Sequence, residues 1–172
     1  MMDLYEELLD LLYALDGVEQ DPKYHPEGDA LVHSLQVFQV ALRESIDPEL
    51  QAAALFHDIG KAEQLKGHAA IGAENLEGLL SNRIVWLVRH HMHLLYAPKR
   101  TRKWLRNTKQ LQELEWLRAW DKQGRCPQTQ TMSPEEAVEI VVDELELIST
   151  FGPTPSLQVG EERMYYENKE LY

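Results

Sequence analysis

Apolar residues recur at every third or fourth position through most of this chain, the period of helices that bury one face. Leu4, Leu8, Leu11, Leu12 and Leu15 line one side of a helix predicted over 3–16, acids fill the other side, and Gly17 ends it. A loop rich in breakers, from Asp21 to Asp29, follows. Asp29 is placed to cap a helix over 30–45 with two apolar rows, Leu31, Leu35, Phe38 and Leu42 beside Val37 and Val40. His33 precedes those valines by four and seven residues, so it falls in the second row and is expected to face inward. Asp47-Pro48, a cap followed by proline at the first helical position, opens a third helix that runs to His57-Asp58. Its small residues Ala52, Ala53 and Ala54 permit close packing.

A fourth helix is predicted over 69–80, and a fifth starts at Ser81 or Asn82, carries Ile84 to Val88 and ends in Arg89-His90-His91-Met92-His93. Leu111, Leu114 and Leu117 belong to a helix or broken pair of helices over 101–123. Asp121 stands where that pattern calls for an apolar residue, and a buried carboxylate needs partners. Ser133-Pro134-Glu135-Glu136 opens the last long helix, to about 149. With no strand–helix alternation, phosphate loop or repeat, the pattern predicts an all-α domain over 1–152 of about six to seven helices. Residues 153–172 are expected to form an irregular or hairpin tail.

The 172 residues suffice for one domain with a real core. A single cysteine, Cys126, excludes an internal disulfide, the N-terminus lacks the basic region of a signal peptide, and no apolar run approaches membrane-spanning length. A cytoplasmic protein without a membrane role is expected. The net charge of −12 argues against general nucleic-acid binding, but residues 83–125 hold 11 basic against 3 acidic side chains. The densest part, Lys99 to Arg106, reads either as a solvated helix face or as a surface that attracts phosphate-bearing ligands, RNA included.

Candidate chemistry centres on Leu55-Phe56-His57-Asp58-Ile59-Gly60-Lys61, where an apolar run ends in an imidazole, a carboxylate, a glycine and a lysine. Gly60 is expected to stop the helix in a left-handed conformation. The unpaired carbonyls and negative pole at such an end favour a cation held by His57 and Asp58. Five further histidines, His33, His68, His90, His91 and His93, fall at or near helix ends or on inward faces. A lone histidine of this kind is usually a core residue with a satisfied hydrogen bond. Joined to two out-of-pattern carboxylates, the set instead points to a metal. Mixed imidazole and carboxylate ligands suit iron, manganese, zinc, nickel or cobalt better than calcium.

The ordered pieces His33-Ser34, His57-Asp58-Ile59-Gly60-Lys61, Gly67-His68, His90-His91 and Asp121 resemble the HD superfamily of metal-dependent phosphohydrolases, over about residues 24–125. His25-Pro26-Glu27-Gly28-Asp29, Gly67 to Ala73 and Trp86 to Met92 are most similar to the HD domain of bacterial tRNA nucleotidyltransferases (CCA-adding enzymes), here without the nucleotidyltransferase domain. The resemblance implies that His33, His57, Asp58 and Asp121 hold a first metal ion. It also implies that His68, His90 and His91 either hold a second ion, with Asp58 bridging, or lie beside substrate without one. One or two divalent ions are expected, with magnesium also open. His93 is left outside the ligand set, and His25 is expected either to be structural or to lie near the site entrance. Met92-His93-Leu94 departs from the residues that follow the paired histidines in HD-GYP phosphodiesterases, which argues against a cyclic-dinucleotide specialist.

The expected activity is hydrolysis of a phosphate ester by metal-activated water, as a phosphomonoesterase or phosphodiesterase on a nucleotide or 2′,3′-cyclic phosphate. Asp58, Lys61, His68 and His91 are the catalytic candidates, with Lys61 either on a phosphate oxygen or in solvent. Arg89, Arg100 and Arg102 are candidates for binding a small phosphorylated substrate. The competing readings are a non-catalytic HD module that binds RNA, tRNA or a protein partner, and a di-iron oxygenase. Oligomeric state is open.

Overall fold

Side-chain caps fix where most helices begin in the computed structural model of this chain, which describes residues 3–152. The carboxylate of Asp3 accepts from Glu6 N–H and starts α1 (Leu4–Tyr13), and that of Asp29 accepts from Val32 N–H and starts α2 (Ala30–Glu44). Asp47 caps α3 (Pro48–Phe56), with Pro48 in the first turn, where a missing N–H costs nothing. A 3-10 turn, Ile59–Ala62, leads to α4 (His68–Leu76). Ser81 then caps α5 (Asn82–His90). Two short helices, α6 (His93–Tyr96) and α7 (Pro98–Trp104), precede α8 (Lys109–Gln123), capped by Thr108, and α9 (Pro134–Phe151), capped by Ser133. Each such cap is worth about 1 kcal/mol against alanine.

The described residues are all-α, with only isolated bridges between Glu19 and Asp29 and between Glu77 and Leu80. More helices form than the six to seven expected. The predicted 101–123 segment is a broken pair, because Asn107 takes a positive φ of 61° and Thr108 restarts the helix. One further turn, α6, fits between His91 and Pro98. The fourth helix stops at Leu76 rather than 80, since Gly78 turns the chain at φ 82°. The tail expected over 153–172 lies outside the described residues.

α2 and α3 pack against each other and on α8, α5 lies across α3 and α4, and α1 closes on α9. Leu8, Leu12, Phe38, Leu50, Phe56, Leu87 and Trp120 are buried at this junction. Arg83, on α5, ties three elements: its guanidinium donates to Asp47 Oδ2 at 2.6 Å, to Glu49 Oε2 at 2.9 Å and to the fully buried Glu113 of α8. Trp120 Nε1 donates to Glu44 Oε2 at 2.7 Å and anchors α8 to α2, one residue before Asp121.

Gly60 does something other than the expected helix stop. Its φ is not positive; α3 simply gives way to the 3-10 turn. A Cβ there would lie 2.0 Å from the carbonyl oxygen of His68 and 2.7 Å from the amide nitrogen of Gly72. The glycine therefore lets α4 seat directly on the backbone beside Asp58, and His68 comes with it. Backbone cannot swing aside as a side chain does. Gly60→Ala should destabilise the fold by about 3 kcal/mol, the upper part of the range for overpacking, as read by urea unfolding, and should displace His68. An unfolding midpoint equal to that of the parent protein contradicts this packing.

Candidate metal centre

Three ring nitrogens in the centre are fixed by backbone carbonyls. His57 ends α3, and its Nδ1–H donates to Ala54 O at 2.8 Å, three residues back, where the helix end leaves a carbonyl to spare. His91 caps α5 and donates to Val88 O at 2.6 Å in the same way. His68, at the start of α4, donates to Leu65 O at 2.9 Å, reached because Gly67 turns left-handed at φ 78°. These assignments use up the Nδ1 hydrogens. Each Nε2 then faces the same acid, Asp58.

Asp58 divides its two oxygens. Oδ2 lies 3.2 Å from His57 Nε2 and 3.8 Å from His33 Nε2, while Oδ1 lies 3.0 Å from His68 Nε2 and 3.5 Å from His91 Nε2. His68 Nε2 and His91 Nε2 are themselves 3.2 Å apart. Two ligand triplets result, His33–His57–Asp58 and Asp58–His68–His91, each with its atoms within 4.8 Å of one another and every member buried. The Nε2 atoms and the Asp58 oxygens converge on this space, and His57 Nε2 has no hydrogen-bond partner. Converging buried acceptors require either protons or a cation between them. The donor set therefore fits a divalent transition metal.

Asp121 stands beside the first triplet as a fourth group from α8, its Oδ1 3.1 Å from His33 Nε2. Two arginines hold its carboxylate: Arg118 Nη1 donates to Oδ2 at 2.6 Å and Arg125 Nη2 at 3.2 Å. Lys61 Nζ donates to Asp58 Oδ2 and to Gln20 Oε1, both at 2.6 Å, so the lysine is turned to the central acid rather than to solvent. Burial would raise the Asp58 pKa, but His57, Lys61 and the hydrogen bond from His68 outweigh it and hold the carboxyl well below its usual range. Asp121 is likewise lowered against the effect of burial, first by its hydrogen bond to His33. Burial keeps His91 below the ordinary imidazole range despite the pull of Asp58, so it is neutral at pH 7.

Of the predicted ligands, His33, His57, Asp58, Asp121, His68 and His91 meet here, and His90 does not join either triplet. The i+1 step on a helix turns its ring to another face, where it stacks on Trp86 at 4.3 Å and lies 4.8 Å from His93 and 5.6 Å from Trp104. Its Nδ1–H donates to Trp86 O at 2.7 Å, and burial lowers its pKa to about 4. Arg89 pairs with Glu77 at 3.0 Å, Arg102 with Glu115 at 3.3 Å, and Arg100 is exposed on α7. The arginines on the ligand set are Arg118 and Arg125. They lie three before and four after Asp121, and that helical spacing was the available signal. Glu27 and Gln20 were missed as well, since both sit in a loop where no periodicity applies.

Residues 31–125 match the family model described as the HD domain, more than half of the chain, and this protein belongs to that family. Curated relatives carry the name multifunctional CCA protein. The one from Methylococcus capsulatus is 42% identical over 72 residues, 38% of this chain and 17% of that protein. The one from Halorhodospira halophila is 35% identical over 102 residues, 50% of this chain and 25% of that protein, and the one from Hahella chejuensis is 36% identical over 86 residues, 46% and 19%. The chain thus spans a quarter or less of these relatives. HD domains are typically metal-dependent hydrolases. No helix among the described residues is long and apolar enough to cross a membrane.

Proton competition at His33 gives a test of the site. Burial works against its charge, but the hydrogen bond to Asp121, the Glu27 carboxylate at Nδ1 and the field of Asp58 prevail and raise its pKa to about 9. A cation on Nε2 must displace that proton. Apparent metal affinity should therefore climb with pH by about tenfold per unit until about pH 9 and then level off on this account. Calorimetry in buffers of different ionisation enthalpy should also register proton release at pH 7.5. A pH-independent affinity between 7 and 9 contradicts the assignment.

Proposed function

We propose that this chain is a metal-dependent phosphohydrolase acting on a small phosphate ester of the nucleotide or 2′,3′-cyclic phosphate type. The observation that carries the reading is the partition of Asp58, one oxygen to each ligand triplet. That geometry supports two ions with Asp58 bridging. His33, His57, Asp58 and Asp121 would hold the first ion, and Asp58, His68 and His91 the second. Bound divalent ions of this kind lower the pKa of water to near neutrality and neutralise charge on phosphoryl oxygens.

The chain's own groups supply the rest. The backbone carbonyls of Ala54, Leu65 and Val88 orient three of the rings, and Lys61 and Gln20 hold Asp58 in place. Arg118 and Arg125 have side chains 21% and 23% exposed and guanidinium N–H groups beyond those on Asp121, so they are better placed than Arg89 or Arg102 to receive phosphate oxygens. His91, neutral at pH 7, suits a ligand more than a proton donor. His68, with Nε2 3.0 Å from Asp58 Oδ1, is the ring we place at the leaving oxygen if the second ion is absent.

A second reading rests on a separate observation. Lys99, Arg100, Arg102, Lys103 and Arg106 are all exposed on and just after α7, with Tyr96 75% exposed beside them, and the curated relatives are named for CCA. RNA held on this face is compatible with hydrolysis in the centre. As a non-catalytic module, the chain would bind RNA with a strong salt dependence and hydrolyse nothing.

His57→Ala and Asp58→Ala should each abolish turnover of metal-loaded protein, by 10²-fold or more on the order expected for loss of a metal ligand. A panel of nucleoside monophosphates, 2′,3′-cyclic nucleotides and phosphorylated metabolites is the assay. Full activity in either variant, or no hydrolysis of any ester by metal-loaded protein, refutes the proposal.

A further inference from the structure

We propose that Glu27 is a positioning residue of the metal centre, holding His33 through Nδ1 so that Nε2 is the nitrogen presented to Asp121 and Asp58. The assignment rests on the metal-centre reading and goes beyond it, since Glu27 belongs to no ligand triplet that contains Asp58. His33 differs from the other three rings in what is available to it. It sits in the first turns of α2, where its own N–H already donates to Asp29 O at 3.0 Å and the following carbonyls serve the helix. His57, His68 and His91 find spare carbonyls at helix ends. For His33 a side chain takes their place.

That side chain is fully buried. Glu27 Oε1 lies 2.7 Å from His33 Nδ1, an ion-pair contact off the N–H line, and 2.9 Å from His25 Nδ1, while Oε2 is buried with no partner. The loop that delivers it is built by turns. Gly28 adopts φ 77°, its N–H donates to His25 O at 2.9 Å, and its carbonyl accepts from Gln20 N–H at 2.9 Å. His25, half-buried, lies edge-on to His33 with ring centroids 4.7 Å apart, closing the outer side. Gln20, in the same loop, reaches Lys61, so one loop steadies both His33 and the lysine on Asp58.

His25, Glu27 and His33 also place three potential ligand atoms within 4.8 Å, which raises the alternative of a separate cation site. One ring cannot give Nδ1 to one cation and Nε2 to another without losing both ring protons. Once a cation takes Nε2 between Asp121 and Asp58, the remaining ring proton belongs on Nδ1, and the Glu27 carboxylate 2.7 Å away is placed to hold that proton and make Nε2 a stronger ligand.

Cobalt(II) titration tests this, with visible d–d absorption reporting coordination and far-UV circular dichroism confirming helical content. Glu27→Gln should bind the cation at the His33 triplet about 10- to 100-fold more weakly, with an altered cobalt spectrum, and Glu27→Asp, which keeps the charge, should bind more tightly than Glu27→Gln. In a His33→Ala background, Glu27→Gln should cause no further loss. Three results overturn the assignment: parental affinity and spectrum in Glu27→Gln, a loss of equal size without His33, or disappearance of a whole equivalent with the remaining spectrum unchanged, which makes Glu27 a ligand. If the parental protein takes up no cobalt at all, the metal centre itself falls.

Discussion

A carboxylate held at 2% exposure inside a helical core governs this architecture. An ionised acid removed from water is unfavourable by several kcal/mol unless positive or donor groups surround it. Around Asp58 those groups come from separate elements: His57 from the end of α3, Lys61 from the 3-10 turn, His68 from α4 and His91 from the end of α5. Each element must arrive at a set distance, so the packing of α3, α4 and α5 and the charge at their junction are one problem. Gly60 is part of the solution because a side chain there would hold α4 away.

Much of this was legible in the sequence because helical patterning is local. Asp29, Asp47, Ser81 and Ser133 announced helix starts, and each side chain caps as its position predicts. His33 and Asp121 stood out as polar residues on apolar rows, and both are buried beside one another. What escaped depended on three-dimensional approach. Gly60 looks like a stop signal in one dimension, whereas its close contact with the His68 carbonyl exists only after α4 folds back. His90 and His91 are indistinguishable as a pair in sequence, and a rotation of about 100° per helical residue sends one to Asp58 and the other to Trp86.

The basic island separates into three uses that its composition does not distinguish. Arg83 is a structural tie, engaged by Asp47, Glu49 and the buried Glu113. Arg118 and Arg125 attend the Asp121 carboxylate, where an arginine fork can hold one acid and still present N–H groups outward. Lys99, Arg100, Arg102 and Lys103 of α7 are exposed, where ionic strength screens their charge. Charge density along a chain thus says little about where charge is used; the partner across the fold decides it.

Asp121, beside the first triplet, lies 88 residues from His33, and the centre between them draws on five helices or turns. Such a site has no counterpart in the unfolded chain. An ion bound to it would therefore act as a thermodynamic clasp, adding to global stability in proportion to the logarithm of its free concentration over its dissociation constant. Cellular metal supply would then set the half-life of this fold as well as the occupancy of its centre.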